Sequence, residues 1–122
     1  MTARRLIVAA LTLLASLGLA ARSQAIDCPT PQTATQSGVI KEPASEITRL
    51  SNLLASGDLG NRIAEIIGEL RAKYPSVGSD ELVNYLMTAY CPVVNGMAGL
   101  SDGEKQARLD AFSSQVLAAT QP

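Results

Sequence analysis

Histidine is absent from this 122-residue chain, and so is tryptophan. The lack of histidine excludes Ser-His-Asp and Cys-His nucleophiles, histidine metal ligands and Cys-x-x-Cys-His haem attachment. Three tyrosines and one phenylalanine are the only aromatic residues, so few side chains are available to stack on sugars or single-stranded nucleic acids. Glycine-rich phosphate-binding motifs are also missing, so the sequence shows no loop that would bind the phosphates of a nucleotide.

Carboxylates are the remaining candidates for catalysis. Glu65 and Glu69 lie one helical turn apart, as a general acid–base pair requires, but Arg62 and Lys73 flank them at similar spacing. A solvated face with ion pairs explains this pattern better. Calcium would need a loop of alternating oxygen ligands closed by a glutamate, and no such loop is present. We therefore expect a non-enzymatic protein without catalytic residues, cofactor or metal.

The first 25 residues have the pattern of a secretory signal peptide. The pair Arg4-Arg5 precedes the apolar run Leu6–Ala21. In Ser23-Gln24-Ala25, small residues stand three and one before Ile26, which predicts signal-peptidase cleavage before Ile26. An uncleaved membrane anchor is the alternative, but a spanning helix needs about 20 apolar residues and this run has roughly 16. The pattern favours the general secretory route and a periplasmic or secreted protein.

Cleavage at this point would leave an acidic protein. From Ile26 onward the chain has seven basic and eleven acidic residues, a net charge of −4. Phosphate backbones and anionic lipids are bound mainly through clustered Lys and Arg, whereas these seven are scattered. We expect no nucleic-acid partner and no stable membrane insertion after processing, while the oligomeric state stays open.

Cys28 and Cys91 are the only cysteines. In an oxidising compartment an even count in a small domain predicts a disulfide; a redox-active or metal-binding pair, the alternative, usually has closer spacing. Residues 26–43 are rich in Pro, Thr, Gln and Ser, which predicts a flexible segment. The disulfide would pin the start of that segment to the helical domain, residues 44–122.

Four stretches of residues 44–122 show helical periodicity. They predict helices over Ala44–Ser56, Leu59–Lys73, Asp80–Tyr90 and Asp102–Ala119. No run alternates as a half-buried strand would, so the expected fold is an all-α bundle of about four short helices with one disulfide.

The ends of these helices carry capping signals. Asp58 and Ser79 are predicted N-caps of the second and third helices, and Ser101 with Glu104 fits a reciprocal capping box. Pro92 is expected to end the third helix near Tyr90. The inward stripe of the fourth helix is predicted to be Leu109, Phe112, Val116 and Ala119.

The segment Tyr85–Leu100 has more apolar character than one helix face needs. Core packing is one interpretation, and a partly exposed patch that receives a partner is the other. Met97, between Gly96 and Gly99, would suit an adaptable contact surface. The candidate partner surface comprises Tyr85, Tyr90, Val93, Val94, Met97 and Leu100.

Two resemblances concern the same region. The run Tyr90-Cys91-Pro92-Val93-Val94, followed by Leu100-Ser101-Asp102-Gly103-Glu104-Lys105-Gln106-Ala107-Arg108-Leu109, resembles small exported bacterial proteins without an assigned function. A small exported helical protein with one long-range disulfide is also similar in architecture to the HdeA-type periplasmic acid-stress chaperones. The Pro/Thr-rich stretch after Cys28 departs from that second group.

Three functions are consistent with these features. The first is an interaction or structural protein of the periplasm or cell envelope, with an envelope protein as a possible partner. An acid-stress chaperone that exposes apolar surface when its carboxylates are protonated is the second. The third is a small-ligand carrier, for which the sequence has no convergent polar groups.

Overall fold

Residues 25–29 and 40–122 are described by the computed structural model. Its helices are α1 (Ala44–Ala55), α2 (Leu59–Lys73), α3 (Ser79–Asn95) and α4 (Asp102–Thr120). The predicted all-α fold is confirmed, and the described residues contain no strand. The predicted signal peptide up to Gln24 and the middle of the predicted flexible segment, residues 30–39, lie outside the described residues.

Local sequence signals mark the starts of α2 and α4 and the turn after α1. The Asp58 side chain accepts a hydrogen bond from the Asn61 backbone N–H at 3.2 Å, which caps α2 as predicted. Ser101 and Glu104 form both halves of the predicted capping box at the start of α4. Gly57, between α1 and α2, has φ of +115°, a backbone conformation that favours glycine.

The four helices form a bundle in which α1 and α4 each pack against both α2 and α3. Helix α3 contributes seven buried residues, more than any other helix, because its apolar side chains occupy most of its circumference. The core includes Leu50, Leu54, Ile63, Ile66, Ile67, Leu70, Leu82, Leu86, Ala89, Leu109, Phe112 and Val116. In α4 the predicted Ala119 is exposed, and Thr120 is buried instead.

Helix α3 is longer than predicted at both ends. Its N-cap is Gly78, which makes no side-chain cap, rather than Ser79. The helix also continues past Tyr90 and through Pro92 to Asn95. The proline therefore lies inside the helix, where it lacks the N–H of a regular i→i−4 bond.

Tertiary packing explains why the helix continues through this proline. Pro92 is exposed, so its ring displaces no core atom, while Cys91 and Val94 on either side are fully buried. Ending the helix at Tyr90 would remove those buried groups from the core. The Ser51 hydroxyl of α1 also lies 2.6 Å from the Ala89 carbonyl oxygen, next to the interrupted part of the hydrogen-bond ladder.

Candidate functional site

Two of the six candidate partner-surface residues belong to the core. The Tyr90 ring stacks on the Phe112 ring of α4, with 4.0 Å between the ring centroids and 21° between the planes. Tyr90 is 5% exposed and Val94 is completely buried. Because α3 continues past Pro92, Val94 lies on its inward face, and neither residue is accessible to a partner in this structure.

Three others lie at the C-terminal end of α3 and keep part of their surface exposed. Val93 packs against the edge of the core, and Met97 and Leu100 occupy the turns before α4. The backbone here is held by the Met97 N–H, which donates to the Val94 carbonyl at 3.1 Å, and Gly99 takes φ of +79°. We call Val93, Met97 and Leu100 the α3 exit surface; it offers apolar contact and no reactive group.

Tyr85 lies earlier in α3 and packs against the edge of the hydrophobic core. Its hydroxyl is buried and has no hydrogen-bond partner. Burial raises the pKa of the Tyr85 phenol well above its ordinary value, and the nearby carboxylates of Glu42 and Glu46 raise it further. Glu81, one turn earlier, also has one buried carboxylate oxygen without a partner. Tyr85 is thus a half-buried residue whose hydroxyl is buried.

The start of the pre-helical segment is fixed to α3. The predicted disulfide Cys28–Cys91 is present and joins positions 63 residues apart. Asn95, one turn after Cys91, accepts a hydrogen bond from the Ile26 backbone N–H at 3.0 Å. Its amide nitrogen donates to the Ile26 carbonyl oxygen at 2.8 Å and lies 3.1 Å from the Cys28 sulfur. We call this contact the Asn95 clamp.

The end of the same segment is fixed to α2. Ile40 is buried in the core, and the Glu42 side chain is only 6% exposed although it carries a carboxylate. Glu42 pairs with Lys73 at 2.5 Å, and the Tyr74 hydroxyl lies 2.9 Å from the same carboxylate oxygen and 2.7 Å from the Lys41 carbonyl oxygen. We call these residues the Glu42 contact; through it and Ile40, residues 40–43 pack against the helices in this structure.

Ion pairs explain the two helical carboxylates, as predicted, but with one different partner. Arg62 pairs with Glu65 at 2.7 Å, whereas Glu69 pairs with Arg49 of α1 at 2.8 Å. Arg49 also pairs with Glu46 at 2.6 Å. The hydrogen bonds from Arg49 lower the pKa of the Glu46 carboxyl, and the hydrogen bonds to Glu46 and Glu69 raise the pKa of the Arg49 guanidinium. Arg49 thus links Glu46 of α1 to Glu69 of α2, and each of the three carboxylates accepts a hydrogen bond from an arginine.

Residues 25–29 and 40–122 place no group of three or more metal-ligating side chains together. Over the same residues, no helix has the length and apolar character needed to cross a membrane.

Sequence reasoning missed three residues with structural roles. Asn95 was overlooked because the predicted helix ended before it, and Glu42 because its segment was predicted to be flexible. Lys105 is 2% exposed and was detectable from the sequence, since it lies one turn before Leu109 on the inward stripe of α4.

Comparisons with known proteins found no match: no protein-family model, no curated protein and no solved structure matches this chain.

Proposed function

We propose that this chain is an exported, non-enzymatic helical protein of the periplasm or cell envelope that binds an envelope protein through the α3 exit surface. Signal-peptide cleavage between Ala25 and Ile26 would release the mature protein. Tyr85 is not part of the proposed surface, because its hydroxyl is buried.

The disulfide is the observation that carries the proposed location. A small domain with a bond between cysteines 63 residues apart depends on an oxidising compartment, because cytosolic reductants keep thiols reduced. The bond is also consistent with the signal-peptide pattern before Ile26, since both features point to export.

Apolar exposure at a fixed turn supports the proposed partner surface. Val93 and Met97 are one helical turn apart in sequence and both remain partly exposed, although neighbouring Val94 is fully buried. Met97 is unbranched and polarisable, so it can adapt to the shape of a partner. Two glycines flank this part of the turn and leave the methionine side chain without bulky close neighbours along the chain.

Site-specific crosslinking in the exporting cell tests this function. A photocrosslinking residue at Met97 should capture one defined envelope protein, and the additional change Val93→Asp should abolish that capture without unfolding the domain. The matched control is the same crosslinker at Leu117, the large apolar residue that is 45% exposed on α4. Equal capture from positions 97 and 117 would reject a specific surface, and purification of protein that retains residues 1–25 would reject the proposed processing.

Acid-stress chaperone activity is the second candidate, and the Glu46 ion pair favours it. The hydrogen bonds from Arg49 lower the pKa of the Glu46 carboxyl, so the stability linked to its ionised form is lost as pH falls through that lowered pKa. The purified protein should then bind an apolar dye and suppress client aggregation near pH 2–3, where carboxylates are largely protonated. Acid unfolding without client protection would reject this activity. The small-ligand carrier remains a hypothesis from the sequence, without an observation that favours it.

A further inference from the structure

We propose that the Asn95 carboxamide is a binding site for the free α-ammonium group of Ile26, the group that signal-peptide cleavage would create. The inference deepens the proposed function and rests on its cleavage step. It assigns to α3 a receptor for the N-terminus of the mature chain.

The geometry of the Asn95 clamp fixes which amide atom faces which backbone group. The Ile26 backbone N–H donates a hydrogen bond to Asn95 Oδ1 at 3.0 Å, and Asn95 Nδ2 donates one to the Ile26 carbonyl oxygen at 2.8 Å. The reversed amide would place nitrogen against N–H and oxygen against carbonyl oxygen, which removes both hydrogen bonds. The acceptor Oδ1 therefore belongs on the Ile26 nitrogen.

A second observation shows that this nitrogen is held in place by more than the carboxamide. Cys28, two residues after Ile26, is covalently bound to Cys91, and Cys91 lies one helical turn before Asn95 in α3. The Ile26 side chain also packs against the hydrophobic core. The disulfide and this apolar contact hold the Ile26 backbone beside a rigid helix end, so little chain entropy remains to be lost when the nitrogen binds.

Cleavage would strengthen the contact. In the uncleaved chain the Ile26 nitrogen is an amide with a single hydrogen, and that hydrogen is donated to Asn95. In the cleaved chain it is an ammonium with three hydrogens, which keeps this bond and adds a positive charge. Charge-assisted hydrogen bonds are roughly twice as strong as neutral ones. Ala25 is exposed, so the other ammonium hydrogens would face solvent and stay hydrated.

The test is a comparison of two N-termini with two residues at position 95. Proteins beginning at Ile26 or at Ser23 are released from a cleavable fusion, each with Asn95 or with Asn95→Asp, and their thermal midpoints are measured. In both forms, Asn95→Asp removes the hydrogen bonds from Nδ2 to the Ile26 carbonyl oxygen and the Cys28 sulfur, so this loss cancels when the forms are compared. Only in the form beginning at Ile26 does the new carboxylate form an ion pair with the Ile26 ammonium group. We expect Asn95→Asp to lower the thermal midpoint of both forms. The decrease in the form beginning at Ile26 should be smaller than the decrease in the form beginning at Ser23, by at least about 4 °C.

Asn95→Leu is the matched control, because it removes both the acceptor and the donor without adding charge. Protection of the α-amine is a second measurement: its acylation rate in the protein beginning at Ile26 should rise several-fold in Asn95→Leu, since the amine is then unbound. Equal effects of Asn95→Asp on both N-termini, or an unchanged acylation rate, would overturn the ammonium site. Neither measurement depends on export, so intact masses of exported protein that start elsewhere than Ile26 would separately overturn the proposed processing.

Discussion

The two ends of the segment before α1 are attached to the bundle by different chemistry. At Cys28 the attachment is a covalent bond, reinforced by a carboxamide that pairs with the Ile26 backbone. At residues 40–43 it is one buried isoleucine and a carboxylate that pairs with Lys73, which is itself 60% exposed. Salt screens the ion pair of the second attachment, whereas it leaves a disulfide and neutral amide bonds largely unaffected.

The described parts of this segment, residues 25–29 and 40–43, include few apolar side chains. Each end therefore depends on groups supplied by the helices: Cys91 and Asn95 from α3, and Lys73 from the last turn of α2. Removing one attachment at a time measures how much each contributes.

The largest expected effect comes from breaking the covalent attachment. Replacing Cys28 and Cys91 together by serine should lower the free energy of unfolding by about 2–4 kcal/mol, because the bond closes a long loop and restricts the unfolded chain. The helices have their own caps and buried stripes and should persist. Denaturant unfolding followed by far-UV circular dichroism measures the loss, with reduced wild-type protein as the control. Superimposed curves for oxidised and reduced protein would contradict the prediction.

A smaller loss is expected at the other attachment. Ile40→Ala should cost about 2–3 kcal/mol, because it removes a buried side chain and leaves a partly collapsed cavity. Lys41→Ala is the matched control: its side chain is exposed and only its carbonyl oxygen is used, so its effect should be near zero. If the two variants unfold at the same denaturant concentration, residues 40–43 are not held as the structure describes.

The smallest effects should differ in sign between two tyrosines. Tyr74→Phe removes a hydroxyl that lies 2.7 Å from the Lys41 carbonyl oxygen and should cost about 0.5–1.5 kcal/mol. Tyr85→Phe removes a buried hydroxyl without a partner and should leave stability unchanged or raise it by up to about 1 kcal/mol. Unfolding curves at neutral pH decide this, and an equal loss in both variants would contradict it.

High pH should increase the advantage of Tyr85→Phe. Burial raises the pKa of the Tyr85 phenol, so the folded state keeps this proton when the unfolded chain has already lost it. The stability linked to this proton is fully present below about pH 10 and is lost as pH rises further. Wild-type stability should therefore fall more steeply than that of Tyr85→Phe between pH 9 and about pH 11, as unfolding curves at each pH would measure.

Helix positions were the most predictable part of the fold. The predicted bounds of α2 match, and those of α1 and α4 differ by one residue; Asp58 caps the start of α2, and Ser101 with Glu104 caps the start of α4. The candidate surface was less predictable. Val93 and Val94 are identical in type and adjacent in sequence, and only the direction of each side chain from α3 places one in the core and the other partly at the surface.

The sequence by itself determined the helical periodicity, the caps of α2 and α4 and the cysteine pair, since each depends on residue type and short-range spacing. Only the tertiary structure decided that α3 runs through Pro92 and that Asn95 faces Ile26. It also decided that Glu42 pairs with Lys73, 31 residues away. Those contacts depend on how the helices pack, because burying Cys91 and Val94 stabilises a conformation that the local preference of proline opposes.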